Sequence, residues 1–198
     1  MANRETPTFP AEVIQYVSSI RSFELADWVP YTCWIGSLFF LLGGVTSLFT
    51  FGYINGVEWP PYLFWIPFGT GMFAISLAFD DIGHRTVYKE ELALGEGYVH
   101  QMISATAVLS VICLCLCYDN GDAFGIPAGV LIVMSFFYSM VDEGFHWRRY
   151  RLDGIDRVEM WAHFFAILGH VLMIVTWWYW YSEGYPGVKE TLQYIPRF

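Results

Sequence analysis

Charge is scarce in this sequence. Only 15% of its 198 residues are Asp, Glu, Lys or Arg, with 10 basic residues against 19 acidic ones. A soluble globular domain carries about a quarter charged residues, so an ordinary soluble fold is disfavoured. The few basic residues form no stripe and no aromatic platform accompanies them, which argues against a nucleic-acid partner. Cysteine is equally sparse, at four residues. Cys113, Cys115 and Cys117 alternate within one apolar run, so successive thiols point about 200° apart around a helix and do not share a metal-binding face. They and Cys33 read as small buried hydrophobes. Catalytic signatures are missing too: there is no His-Glu-x2-His helix, no Gly-x-Ser-x-Gly elbow and no glycine loop for phosphate. The clustered histidine boxes of the common membrane hydroxylases and desaturases are absent as well. Residues 1–28 contain no apolar core of a signal peptide.

What fills the chain is apolar: 56% hydrophobic and 20% aromatic residues, with a mean hydropathy of +0.41. Five stretches hold no charged residue at all, 28–57, 59–79, 97–118, 123–141 and 160–182. Each is as long as the roughly 17–25 residues that one helical crossing needs. The expectation is an all-α polytopic membrane protein with five transmembrane helices. A cytoplasmic or interfacial segment would occupy 1–28, the five-helix domain 29–182, and an outer tail 183–198. Five crossings place the termini on opposite sides, and eight of the ten basic residues fall on the N-terminal side: Arg4, Arg21, Arg85, Lys89, Arg148, Arg149, Arg151 and Arg157. Because Lys and Arg stay in the cytoplasm, the N-terminus is expected inside and the C-terminus outside. In a prokaryote the location would be the inner membrane. Pro10 followed by Val13, Ile14, Val17 and Ile20 predicts a short amphipathic helix on the inner surface. Gly43 and Gly44 suggest close approach of another helix. Trp177, Trp178, Tyr179, Trp180 and Tyr181 read as an interfacial belt.

Four of the five histidines follow an acid by four residues: Asp80 and His84, Glu96 and His100, Asp142 and His146, Glu159 and His163. Residues i and i+4 share one helix face, so each pair converges. The pairs also repeat. Aligning His84 with His146 sets Asp81 opposite Glu143, Tyr88 opposite Tyr150 and Lys89 opposite Arg151, as in a duplicated hairpin covering about 63–118 and 123–182. All four pairs fall at the cytoplasmic end of their helices.

Ionisable groups inside a membrane are costly and need partners. A bound cation resolves that cost, since carboxylates and neutral imidazoles become its ligands. Acids and histidines projecting inward from four helices follow the logic of dimetal sites in bundle cores. Oxygen and imidazole donors suit iron, manganese or zinc. Asp80, His84, Glu96, His100, Asp142, His146, Glu159 and His163 are therefore the candidate ligands. Asp81, Glu143, Tyr88 and Tyr150 are candidates for additional or supporting contacts, and any of the acids could instead orient a histidine's second ring nitrogen. His170, two turns beyond His163 and without a nearby acid, reads as a packing residue or the lining of a channel. Asp80-x3-His84 with His100, and Asp142-x3-His146 with His163, resemble the metal-binding motif of the C subunit of particulate methane and ammonia monooxygenases. The likeness covers only these motifs, and the second histidine lies farther along here. The expected function is a membrane-embedded non-haem metal oxidoreductase holding two ions, iron foremost, that oxidises a lipophilic substrate with electrons from a donor or partner subunit. A divalent-metal transporter and a cofactor-holding subunit of a larger complex are the alternatives.

Overall fold

In the structure, a computed structural model, residues 8–87, 95–153 and 157–195 are described. These residues form helices and no strand: α1 (Phe9–Ser18), α2 (Leu25–Ile54), α3 (Trp65–Thr86), α4 (Glu96–Asp153), α5 (Arg157–Ser182) and α6 (Val188–Leu192), with single 3-10 turns at Ser19–Ser22 and Pro61–Phe64. Four helical stretches are long and apolar enough to cross a membrane: Leu25–Ile54, Pro61–Thr86, Glu96–Arg148 and Arg157–Ser182. Where the sequence predicts separate third and fourth crossings, the structure has the single element α4. That element is not straight. Asn120 breaks it with φ −145° and ψ 82°, and its Oδ1 accepts the Ala123 backbone N–H at 3.1 Å, as the N-cap of a new helix does. The second limb folds back along the first. A straight helix would hold His100 and His146 roughly 70 Å apart, yet their ring centroids lie 6.3 Å apart. Tyr181 of α5 steadies the bend by donating to the Gly121 carbonyl at 3.3 Å. A Cβ on Gly125 would fall 2.5 Å from the same Tyr181 hydroxyl.

The centre of the bundle is the antiparallel pair α3 and α5. A Cβ built on Gly69 would lie 2.7 Å from the Gly169 carbonyl oxygen, and one on Gly169 would lie 2.7 Å from that of Gly69. Glycine at both positions is what lets the two backbones touch, and close approach through small residues is the main way apolar helices associate. The glycines singled out in α2 play no such part, since a Cβ on Gly43 or Gly44 meets nothing within 4 Å. Helix α2 packs one side on α3 through Ile35 and Leu38 and leaves the other bare, with Phe40 84% exposed. An apolar outer surface of that kind suits lipid.

The two ends of the bundle are closed differently. At one end, α1 forms where proline and apolar spacing predict it. Its buried Tyr16 occupies the space a side chain on Gly83 would need, and Glu12 takes Arg157 in a two-bond ion pair at 2.6 and 3.0 Å. At the other end the expected aromatic belt divides. Trp177 and Trp180 are buried in a core with Trp59, Phe49 and Tyr185, while Trp178 and Tyr179 face outward. The chain beyond α5 folds back over this core: Trp180 Nε1 donates to the Pro186 carbonyl at 3.1 Å, and the Tyr185 hydroxyl donates to that of Leu114. Tyr185 holds a left-handed φ of 56° to make this turn.

Gly169→Leu will drive α5 away from α3 and destabilise the protein by about 1–3 kcal/mol or more. Gly43→Leu, on the open face of α2, will leave stability unchanged. Thermal unfolding of both variants in one detergent tests the difference.

Candidate metal centre

Four helical segments bring the acid–histidine pairs to one level: the end of α3, the start of α4, the end of its second limb and the start of α5. Asp80, Glu96, Asp142, His146, Glu159 and His163 are all buried there. Two of the pairs approach within their own helix, His84 Nε2 to Asp80 Oδ1 at 3.4 Å and His146 Nε2 to Asp142 Oδ2 at 3.5 Å. The shortest contacts run between helices instead. His163 Nε2 lies 2.9 Å from Asp80 Oδ1, His100 Nε2 lies 2.8 Å from Asp142 Oδ1, and His146 Nδ1 lies 3.1 Å from Glu159 Oε1. Spacing four apart therefore sets each acid on the right face, while for Asp80, Asp142 and Glu159 the shortest contact to a histidine comes from a different segment. The pattern is reciprocal. Asp80 joins His84 to His163, and Asp142 joins His146 to His100.

Two groups of donors are compact enough for an ion. The ligand atoms of His84, His146, Glu159 and His163 lie within 4.8 Å of one another, and so do those of His84, Glu96, His100 and His146. An ion with ligands at about 2.0–2.2 Å separates its donors by up to about 4 Å, so small inward movements complete either site. His84 and His146 belong to both groups. His84 and His100 are 4.4 Å apart by ring centroid, and His146 and His163 only 3.8 Å. Four imidazoles and four carboxylates sealed at this density fit the donor set of a hard or borderline divalent cation. Glu96 and Glu159 stand among the ligand groups, whereas Asp80 and Asp142 each lie against two histidines and fit the role of fixing ring orientation.

The remaining candidates separate. Glu143 reaches the cluster, its Oε2 3.5 Å from His163 Nδ1. Asp81 pairs with Arg85 at 2.9 Å. Tyr150 packs on Trp147, ring centroids 6.0 Å apart, and Trp147 and Trp161 are half-exposed. Tyr88 lies outside the described residues.

A cavity of about 780 Å³ opens on one side of the centre. Asp80, His84, His100, Asp142 and His163 form its polar floor, and Phe73, Leu77, Val108, Leu109 and Ile167 are among its apolar walls. Glu96, His146 and Glu159 stand behind that floor, fully buried. Among the described residues, α2 and α4 nowhere bring their backbones within 8 Å. The cavity lies in that gap, edged by Pro30 and Trp34 on one side and by the exposed Val108 and Leu109 on the other. A cavity formed between nonadjacent helices has no signature in spacing, and sequence reasoning did not find it. Comparison with known protein families, with characterised proteins and with solved structures gives no match to this chain.

The shared histidines make the two groups separable by mutation. His146→Ala, which takes a donor from both groups, will lower metal binding more than His100→Ala or His163→Ala, each of which takes a donor from one group. Asp80→Asn will leave every donor of both groups in place but weaken metal binding about 10–100-fold. Metal analysis of the purified variants, with titration of the apoprotein, measures each outcome.

Proposed function

We propose that the protein is a non-haem dimetal oxidoreductase of the membrane that oxidises a lipophilic substrate, with iron as its metal. The observation that carries this reading is the junction of a large apolar cavity with a buried acid–histidine centre. A transport site would need a polar path onward from the centre, and sites of that class lie near the membrane midplane. Here the centre lies at the ends of its helices, and the adjoining space is apolar.

The chain crosses the bilayer five times in this reading, with the two limbs of α4 as separate crossings. The 53 residues of Glu96–Arg148 would reach roughly 80 Å if straight, far beyond a hydrocarbon core of about 30 Å. The bend at Asn120 supports the division, as does the return of His146 to His100. With the N-terminus inside, the centre lies at the cytoplasmic edge. Substrate reaches it sideways from lipid through the gap between α2 and α4, and a reductant reaches it from the aqueous side.

Redox-active metal supplies the dioxygen activation that amino-acid side chains cannot perform. Hydroxylation converts a C–H bond, dioxygen, two electrons and two protons into C–OH and water, so a cytoplasmic electron donor is required. The chain's own groups fix the histidines and hold hydrocarbon against the floor of the cavity. Its walls exclude bulk water, which strengthens every electrostatic contact inside.

Protein purified in detergent without chelator will carry about two irons per chain and show no Soret band. Changing His84, His100, His146 and His163 together to Ala will abolish the iron and any oxygen consumption that a chemical reductant supports. Stoichiometric zinc in place of a redox metal would overturn the oxidoreductase reading.

A further inference from the structure

His170 has no part in the centre, yet it borders the same cavity. It stands two turns beyond His163 on α5, about 10 Å farther along the helix axis. Only 2% of it is exposed. Its ring is held near-parallel between Phe73, at 5.0 Å and 27°, and Phe136, at 4.6 Å and 28°. Nε2 is buried without a hydrogen-bond partner, and no carboxylate or guanidinium neighbours the ring. Packing alone gives no reason for an imidazole here. A phenyl ring would fill the slot between Phe73 and Phe136 without burying a ring nitrogen that lacks a partner. Apart from the acid–histidine cluster and His170, the polar residues lining the cavity are Asp81, Arg85, Gln101, Ser104 and Ser139; Asp81 and Arg85 pair with each other, and Ser139 donates to the Ser135 carbonyl at 2.8 Å.

A neutral imidazole donates from one nitrogen and accepts at the other, so it suits a hydroxyl or a carbonyl oxygen. An anionic headgroup fits poorly, because it would need a protonated ring in an apolar slot with no other charge to accompany it. We propose that the cavity binds a lipophile with one uncharged oxygen, an alcohol, aldehyde or ketone, which hydrogen-bonds His170 while a hydrocarbon segment lies against the metal centre. The binding site stands on the cavity and His170 alone; only the identity of the segment at the centre as the reacting end rests on the oxidoreductase reading. The separation of His170 from the centre then sets which carbon is presented, roughly 10 Å from the anchored oxygen.

The test uses the full chain in phosphatidylcholine nanodiscs with 2-dodecanone labelled with 13C at the carbonyl. Infrared difference spectra of the wild type should show a saturable carbonyl band at lower frequency than the same ketone gives in empty discs. His170→Phe keeps the aromatic sandwich and should lose that band, with the apparent Kd raised at least tenfold. His170→Gln restores a donor and should recover it, which separates a lost hydrogen bond from a damaged fold. A wild type without a shifted, saturable band would overturn the proposal, and so would a band that survives in His170→Phe. Metal counted in the same samples keeps the two readings apart. A His170-dependent band in protein without redox metal upholds the binding site and removes the oxidation. Two irons without the band do the reverse.

Discussion

Everything in this molecule is arranged around the cost of placing carboxylates and imidazoles at one level among apolar helices. Most of these groups are buried there, so each is held by others of opposite or complementary character. The contacts that do this run between segments: Asp80 hydrogen-bonded to His163, and Asp142 to His100 and Glu159 to His146 at ion-pair distance. They fix where α3, α5 and both limbs of α4 end relative to one another. A shift of one helix by a single residue would rotate its acid and its histidine off the shared face together. The Gly69–Gly169 contact and the aromatic core around Trp177 and Trp180 set the rest of the bundle. They lie deeper, and on present geometry they hold α3 and α5 at the separation the centre requires.

The centre was legible in the sequence because it is built from local spacing. An acid four residues before a histidine survives any rearrangement of helices, and four such pairs announce a site before any packing is known. The partners were not legible. Spacing of four pairs Asp80 with His84, yet the shortest bond to Asp80 comes from His163, 83 residues away. The bend of α4 was visible as a break between uncharged stretches, but not that Asn120 would cap the second limb while the element stayed almost wholly helical. Gly43-Gly44 and the tryptophans of α5 misled for one reason: composition tells what a residue can do, not which neighbour it meets. Trp177 and Trp180 have the chemistry of an interfacial belt and are buried because α6 and its preceding turn cover them.

The centre is close to symmetric. In the register that sets His84 opposite His146 and His100 opposite His163, the two donor groups exchange with one another, and His84 and His146 are common to both. A symmetric centre would offer two equivalent faces to a substrate. The chain departs from that symmetry at a few positions, and each departure has a local cause. Arg85 draws Asp81 away from the cluster at 2.9 Å, whereas the corresponding position in the second half is Trp147, which carries no charge. Glu143, the counterpart of Asp81, turns inward and reaches His163 instead.

The largest departure is in depth. In the same register, His170 corresponds to Ala107, a small buried residue, so an imidazole two turns from the metal ligands exists on one side only. The cavity lies on that side, between the floor formed by His84, His100 and His163 and the slot that holds His170. In the proposed function, a near-symmetric centre would control which elements bind but would not choose the direction from which a long substrate enters. That choice would need an asymmetric contact away from the centre, placed where a lipophilic substrate would otherwise be held only by nondirectional apolar packing. Among the described residues, His170 fits that need: its Nε2 has no partner in the fold, and its ring is stacked between Phe73 and Phe136.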